Sequence, residues 1–249
     1  MRLKLGIVGA GHLGSALYRG LLRSGTPPED IILCVRPETV GDCAERFRSP
    51  VTGDINEAAA FAGVVFLVTR AAQFEQIAER GLDKSAACTF VSFMAGVTLA
   101  RLGELTGSAE LVRAMPSLAI ESQDGIIGYT HCDARIAGIF ESLGYAFEVG
   151  ESDIEKVTAF SGCGPGFAAY IIDAFSRAGQ SLGFSVSQAD IIATNTFAAV
   201  CRRGGDYASL AEAVATPGGA TEQGILRLRN YNVEDALKAA VAAAYDKVK

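Results

Sequence analysis

Residues 3–14 read Leu-Lys-Leu-Gly-Ile-Val-Gly-Ala-Gly-His-Leu-Gly. An apolar run that flows straight into Gly9-x-Gly11-x-x-Gly14 constrains this chain more than any other segment. It predicts a strand, a tight turn and a helix in immediate succession, the start of a dinucleotide-binding βαβ unit. Gly9 permits the turn, Gly11 lets the backbone approach a pyrophosphate, and Gly14 lets the helix lie close on the strand. The helix start would present free N–H groups and the positive end of its dipole to phosphate oxygens. His12 and Leu13, between the second and third glycines, belong to the same expected cofactor-binding turn. The competing reading is a turn with a structural role only.

The tip of the second strand decides between dinucleotides. Ile31-Ile32-Leu33-Cys34-Val35 reads as a buried parallel strand. An NAD-type fold places Asp or Glu at this tip to bind the ribose 2′-hydroxyl, about 20 residues past the last glycine. This chain places Arg36 there. Its guanidinium can pair with a 2′-phosphate that a carboxylate would repel. The expected cofactor is therefore NADPH; Glu38, two residues on, keeps NADH open.

At 249 residues, with 49% hydrophobic and 20% charged side chains, the chain can build a sizeable core in two modest domains or one large one. A net charge of −6 with no basic block argues against nucleic acid or an anionic membrane as partner. The N-terminus reads as a strand, not a signal peptide, and no run of apolar residues is long enough to span a bilayer. The six cysteines are scattered without a C-x-x-C pair, so neither a zinc site nor a disulfide framework is expected, and buried thiols in a reducing cytoplasm are. With His12 and His131 the only histidines, a His-based metal site or catalytic triad is not expected either.

Strand and helix patterns alternate through residues 1–150, predicting an α/β, doubly wound, mostly parallel sheet of Rossmann type. Strands read at 3–8, 31–35, 64–68, 88–92 and 110–114, with weaker ones near 125–129 and 145–149. From 151 to 249 strand signals vanish and six helical patterns follow, predicting an all-α second domain; Asn232 is the expected N-cap of the last helix. In open α/β sheets a cofactor lies across the carboxyl ends of the strands. Candidate cofactor contacts there are Gly9, Gly11, His12, Leu13, Gly14, Arg36, Val68, Thr69, Arg70, Ala95, Gly96, Met115 and Pro116. Arg70 reads equally well as a phosphate or nicotinamide support and as a surface charge.

Two segments of the helical half stand out: Ser161-Gly162-Cys163-Gly164-Pro165-Gly166 and Thr216-Pro217-Gly218-Gly219-Ala220-Thr221. Both read as Gly/Pro breaks ahead of a helix. Such a break would expose backbone N–H groups able to cradle a small carboxylate, with the hydroxyls of Ser161, Thr216 and Thr221 as further donors. Tight helix-to-helix connectors are the alternative.

With these segments in view, the chain resembles the pyrroline-5-carboxylate reductases over nearly its full length. The resemblance rests on the Gly9–Gly14 turn with Arg36, VSFMAGV at 91–97, LVRAMPS at 111–117, VTAFSGCGPG at 157–166 and TPGGAT at 216–221. The last two are the specific ones. The resemblance implies NAD(P)H-dependent reduction of the cyclic imine 1-pyrroline-5-carboxylate to proline. It also implies a helical C-terminal domain that makes a homodimer, often within a larger ring of dimers. It suggests Ser161, Gly162, Cys163, Gly164, Thr216, Gly218, Gly219 and Ala220 around the substrate, with Thr221 as the catalytic hydroxyl at the substrate nitrogen. The chain departs from the family pattern at Arg70-Ala71 (usually Lys-Pro), Ser117 (usually Asn), Cys163 (usually Ser), Gly166 (usually Ala) and Phe167 (usually Tyr). Those departures keep two alternatives open: a reductase of another cyclic imino acid, and a non-catalytic NADP-binding homologue with a regulatory role. A hydroxyacid dehydrogenase would need a lysine on the helix after the first Gly-rich break, and no lysine lies between 157 and 237.

Overall fold

The computed structural model describes residues 2–85 and 87–249. Its contacts divide the chain into two compact units. One runs to Cys163 and takes in Tyr245–Lys249; the other is Gly164–Ala244.

The first unit is built on eight strands among the described residues: β1 (Leu5–Val8), β2 (Ile31–Cys34), β3 (Val51–Thr52), β4 (Val64–Leu67), β5 (Thr89–Ser92), β6 (Leu111–Pro116), β7 (Gly125–Tyr129) and β8 (Gly144–Glu148). They form one sheet in the order β3-β2-β1-β4-β5-β6-β7-β8. Every pairing is parallel except β6 with β7. The order reverses between β1 and β4, the switch point at which a doubly wound sheet opens a crevice. The expected mostly parallel α/β class is what forms.

The local reason is plain in the strands. β1, β2, β4 and β5 are four-residue runs with every position buried, as a sheet covered on both faces demands. Alternate residues then serve opposite layers. Ile7, Leu33, Phe66 and Val91 pack with Leu17 and Leu21 of α1 (His12–Arg23) and Phe140 of α6 (Ala134–Ser142). Val8, Ile32, Val65, Leu67 and Phe90 pack with Ala58 of α3 (Ile55–Phe61), Phe74 of α4 (Ala71–Glu79) and Leu102 of α5 (Leu99–Thr106). Side-chain caps at Asp54, Thr98 and Asp133 fix the starts of α3, α5 and α6, each worth about 1 kcal/mol.

Between β2 and β3 the chain makes a short turn at Pro37–Thr39 and then α2 (Val40–Arg46). Two readings of the sequence need correction. β3 went unread because two residues carry no periodicity. Ser161–Gly166 is not an open break. α7 (Ile154–Val157) passes into a π-helical turn at Thr158–Gly162, where the Cys163 N–H donates to the Thr158 carbonyl, and α8 (Gly164–Ser181) begins at once. Strands end at Glu148, whereas contacts divide at Cys163, because Ile154 and Val157 are buried together with Met115 of β6.

The second unit holds α8, α9 (Val186–Arg203), α10 (Tyr207–Val214), α11 (Ala220–Asn230) and most of α12 (Val233–Val248). α8 and α9 form a close pair, a Cβ at Gly179 reaching to 3.4 Å from that of Ala189. Asn232 stands at the expected N-cap position of α12, its carbonyl accepting the Ala236 N–H at 3.0 Å; it does so at φ 51°, in the left-handed region that asparagine tolerates better than most. Among the described residues of this unit only Ser176, Ala189 and Ala193 are buried. Tyr170, Leu182, Ile191 and Tyr231 lie open on its surface.

Candidate active site

The first turn of the sheet unit explains its three glycines separately. Gly9 sits at φ +106°, and a Cβ there would meet the Val68 carbonyl at 2.7 Å. A Cβ on Gly14 would lie 1.9 Å from the Gly9 carbonyl oxygen, so only glycine lets α1 close on the turn. Gly11 differs: a Cβ there meets nothing within 4 Å. It is the N-cap of α1, with no side chain capping it and no acid in the first turn. The space before it is therefore open, and the N–H groups of the first turn have no intrahelical acceptor. Ser15 steadies the turn by donating to the Ala10 carbonyl at 3.1 Å and accepting from Arg46 at 3.1 Å. His12 and Leu13 open the helix itself, His12 being exposed.

The other residues expected at the cofactor stand at the carboxyl ends of neighbouring strands. Arg36 follows β2 and makes an exposed pair with Glu38 at 3.3 Å, a contact weak enough to be exchanged for a phosphate. Beneath it Cys34 is buried; burial first, then the nearby Asp54 and Glu57, push its thiol up to about 12, so it adds no negative charge. Val68, Thr69 and Arg70 follow β4, Thr69 lying 3.8 Å from Met94 Sδ. Arg70 is exposed at the N-cap of α4. Ala95 and Gly96 form the turn after β5, Gly96 at φ +72°. Met115 and Pro116 end β6. Ser117, one of the departures, is buried and used structurally: its N–H donates to the Ile126 carbonyl and its hydroxyl accepts from the Ile126 N–H.

The π-turn carries Ser161 and Gly162 to this same end of β6, with a Cβ on Gly162 reaching to 3.8 Å from Met115 Cγ. The Ser161 hydroxyl donates to the Val157 carbonyl at 2.9 Å, which leaves its lone pairs, not its proton, for another group. Cys163 is a half-buried free thiol, and Gly164 is the first residue of α8.

Within the second unit, Thr216–Thr221 forms the expected break before a helix. The Gly219 N–H donates to the Thr216 carbonyl at 2.8 Å, and a Cβ on Gly219 would strike the Thr216 hydroxyl. Gly218 adopts φ +75°. Gly219 caps α11 without a side-chain bond, so Ala220 and Thr221 begin the helix with unclaimed N–H groups. Thr221 is exposed. The Gly218 N–H is taken by the Glu222 carboxylate at 2.8 Å.

The sequence reading passed over Arg113. On β6 it is 2% exposed and ion-paired with Glu155 of α7 and, at 3.6 Å, with Glu151. The available signal was an arginine inside an otherwise apolar strand, a charge that burial permits only with partners. Among the described residues no group of three or more His, Cys, Asp or Glu side chains could hold a metal.

A glycine-rich strand–turn–helix at the switch point of a doubly wound sheet, followed by a helical unit, defines the class: a two-domain oxidoreductase of the dinucleotide-binding kind. Residues 4–96 match the family described as NADP oxidoreductase coenzyme F420-dependent, and residues 151–249 match pyrroline-5-carboxylate reductase dimerisation. The pyrroline-5-carboxylate reductase of Corynebacterium melassecola is 28% identical over 98% of this chain and 96% of its own. The structure of the Streptococcus pyogenes enzyme of that name superposes with TM-score 0.90 at 25% identity, covering 99% of this chain and 98% of the other. That of Plasmodium falciparum pyrroline carboxylate reductase, with NADP bound, shares the fold with TM-score 0.86 at 23% identity over 100% and 97% of the two chains. The chain is thus similar to pyrroline-5-carboxylate reductases over nearly its whole length, and its residues 151–249 match their dimerisation family.

Proposed function

We propose that this chain reduces 1-pyrroline-5-carboxylate to proline with NADPH, acting as a homodimer. The observation that carries the reading is the uncapped start of α1, where the missing Cβ of Gly11 leaves open space before unclaimed N–H groups. A pyrophosphate fits that cradle in charge and size. Arg36 would take the 2′-phosphate, and Val68–Arg70, Ala95, Gly96, Met115 and Pro116 would line the rest of the cofactor crevice. When bound, NADPH supplies the hydride for the imine carbon.

The remaining work falls to the chain's own residues. The Ala220 and Thr221 N–H groups at the start of α11 would hold the substrate carboxylate, together with the backbone of Thr216–Gly219 and of Ser161–Gly164. The Thr221 hydroxyl would hydrogen-bond the ring nitrogen and steady it as it becomes an amine. A threonine hydroxyl is too weak an acid to be the proton source, so the proton arrives with an already protonated imine or through water. Dimerisation is supported by the helical unit itself. It buries few side chains and carries an apolar groove of 210 Å³ lined by Phe175, Leu182, Phe184 and Ile192. Six free thiols suit a reducing cytoplasm, and among the described residues no helix is long and apolar enough to cross a membrane.

The test is loss of NADPH absorbance with purified protein and 1-pyrroline-5-carboxylate, with NADH in parallel. Saturable, imine-dependent oxidation that favours NADPH is expected. Tight NADPH binding with no turnover would overturn the reading. A second reading, reduction of a different cyclic imine, is favoured by the Glu222 carboxylate already seated at Gly218, which opposes an anionic substrate. Six-membered and uncharged imines in the same assay distinguish the two.

A further inference from the structure

We infer that Arg113 is a positioning residue, the buried hub of an ionic clamp that aligns three segments of the active site. The inference rests on the reductase reading above. Arg113 lies within β6, three residues before Pro116, which ends the strand on the side expected to face the cofactor. Its Nη2 donates to Glu155 of α7, six residues before Ser161, and its Nη1 faces Glu151 at 3.6 Å. Glu151 in turn accepts from the Leu99 N–H at 2.5 Å, just beyond the turn that carries Ala95 and Gly96. One side chain thus joins the β5 turn, the β6 end and the helix leading to the π-turn.

The backbone makes the coupling direct. The Thr158 hydroxyl donates to the Ile154 carbonyl and the Ser161 hydroxyl to the Val157 carbonyl, so a shift at Glu155 is carried into Ser161. Arg113 is held at its own N–H by the Thr130 hydroxyl at 2.9 Å and at its carbonyl by the Thr130 N–H. It therefore acts from a fixed point. A planar fork can serve two carboxylates at once, whereas an ammonium cannot reproduce that geometry. Substituting apolar residues could restore burial without restoring alignment, because a buried ion pair is often dispensable for stability once both charges are gone.

The test compares Arg113→Lys, Arg113→Met and the double variant Arg113→Met/Glu155→Gln with the wild type. The single Met variant leaves the largely buried Glu155 unpaired and can fail to fold; the double variant and Arg113→Lys keep the test open. In Arg113→Lys, kcat/KM for the imine should fall at least tenfold, by more than NADPH affinity falls. Amides of residues 158–163 should exchange with deuterium faster, while those of β1 and α1 do not change. The double variant should regain the melting temperature lost by Arg113→Met but not the activity. Wild-type kcat/KM in either folded variant, or activity that returns in step with melting temperature, would overturn the inference. If the wild type itself reduces no imine, the reductase reading has failed, and the exchange measurement still decides the clamp: unchanged amides at 158–163 reject it.

Discussion

Two glycines three residues apart do opposite things, and the difference is measurable. At Gly14 a methyl group would collide with backbone 1.9 Å away, and backbone has no rotamer with which to yield. Gly14→Ala should therefore lower the melting temperature and abolish NADPH binding together. At Gly11 the same methyl enters empty space. Gly11→Ala should cost at most about 1 kcal/mol of stability, the usual penalty for alanine at an N-cap, yet raise the NADPH Kd tenfold or more. Calorimetric melting with cofactor titration separates the two. Thr221 offers a third contrast. Exposed and one residue into α11, it carries no fold; Thr221→Ala should lower kcat tenfold or more, leave NADPH affinity within twofold and leave the melting temperature in place. Steady-state kinetics beside fluorescence binding reads both, and equal loss of cofactor binding would point to a structural role.

Elements in this chain are held by their ends, and the ends respond to pH. Asp133 caps α6, accepting from the Arg135 and Ile136 N–H groups and from the Arg135 side chain. The Arg135 hydrogen bond, first, and the helix N–H of Ile136 hold its carboxyl below the ordinary aspartate range. A carboxylate lowered in the folded state stabilises above its unfolded pKa, and the contribution is lost as pH falls through the lowered folded value. Asp133→Asn should thus reduce the melting temperature at neutral pH, with the gap closing as the pH falls below the ordinary aspartate range. At α11 the sign reverses for ligand binding. The Glu222 carboxylate bonded to Gly218 stands where an anionic substrate would be held, so Glu222→Gln should lower KM for 1-pyrroline-5-carboxylate severalfold with little change in kcat. Initial-rate kinetics at fixed ionic strength tests it. The strands and most helices were legible because four-residue apolar runs and 3.6-residue stripes are written locally. The π-turn was not: Gly162, Gly164 and Pro165 are residues that break helices, and their continuity is supplied by Ile154 and Val157 packing with Met115 of β6. Nor was the partnership of Arg113 with Glu155 legible, since no local pattern links residues 42 positions apart. The glycine turn was legible because its spacing is set by backbone geometry, the positive φ of Gly9 and the close approach at Gly14, while Ser161's internal hydrogen bond and the structural use of Ser117 depend on neighbours brought in by folding.

At the level of the whole molecule, the sheet unit has two layers of buried side chains, whereas the helical unit leaves Phe175, Leu182, Phe184 and Ile192 around an open apolar groove. Leu182 is 81% exposed, so its replacement disturbs little inside one copy. Leu182→Glu should convert a dimer into a monomer on size exclusion with light scattering, and activity should fall with the dimer fraction. A variant that stays dimeric would place the interface elsewhere. If two copies join through these helices, as proposed, association adds to the stability of each folded copy. The melting temperature would then climb with protein concentration, and the amount of chain a cell makes would set how stable each chain is.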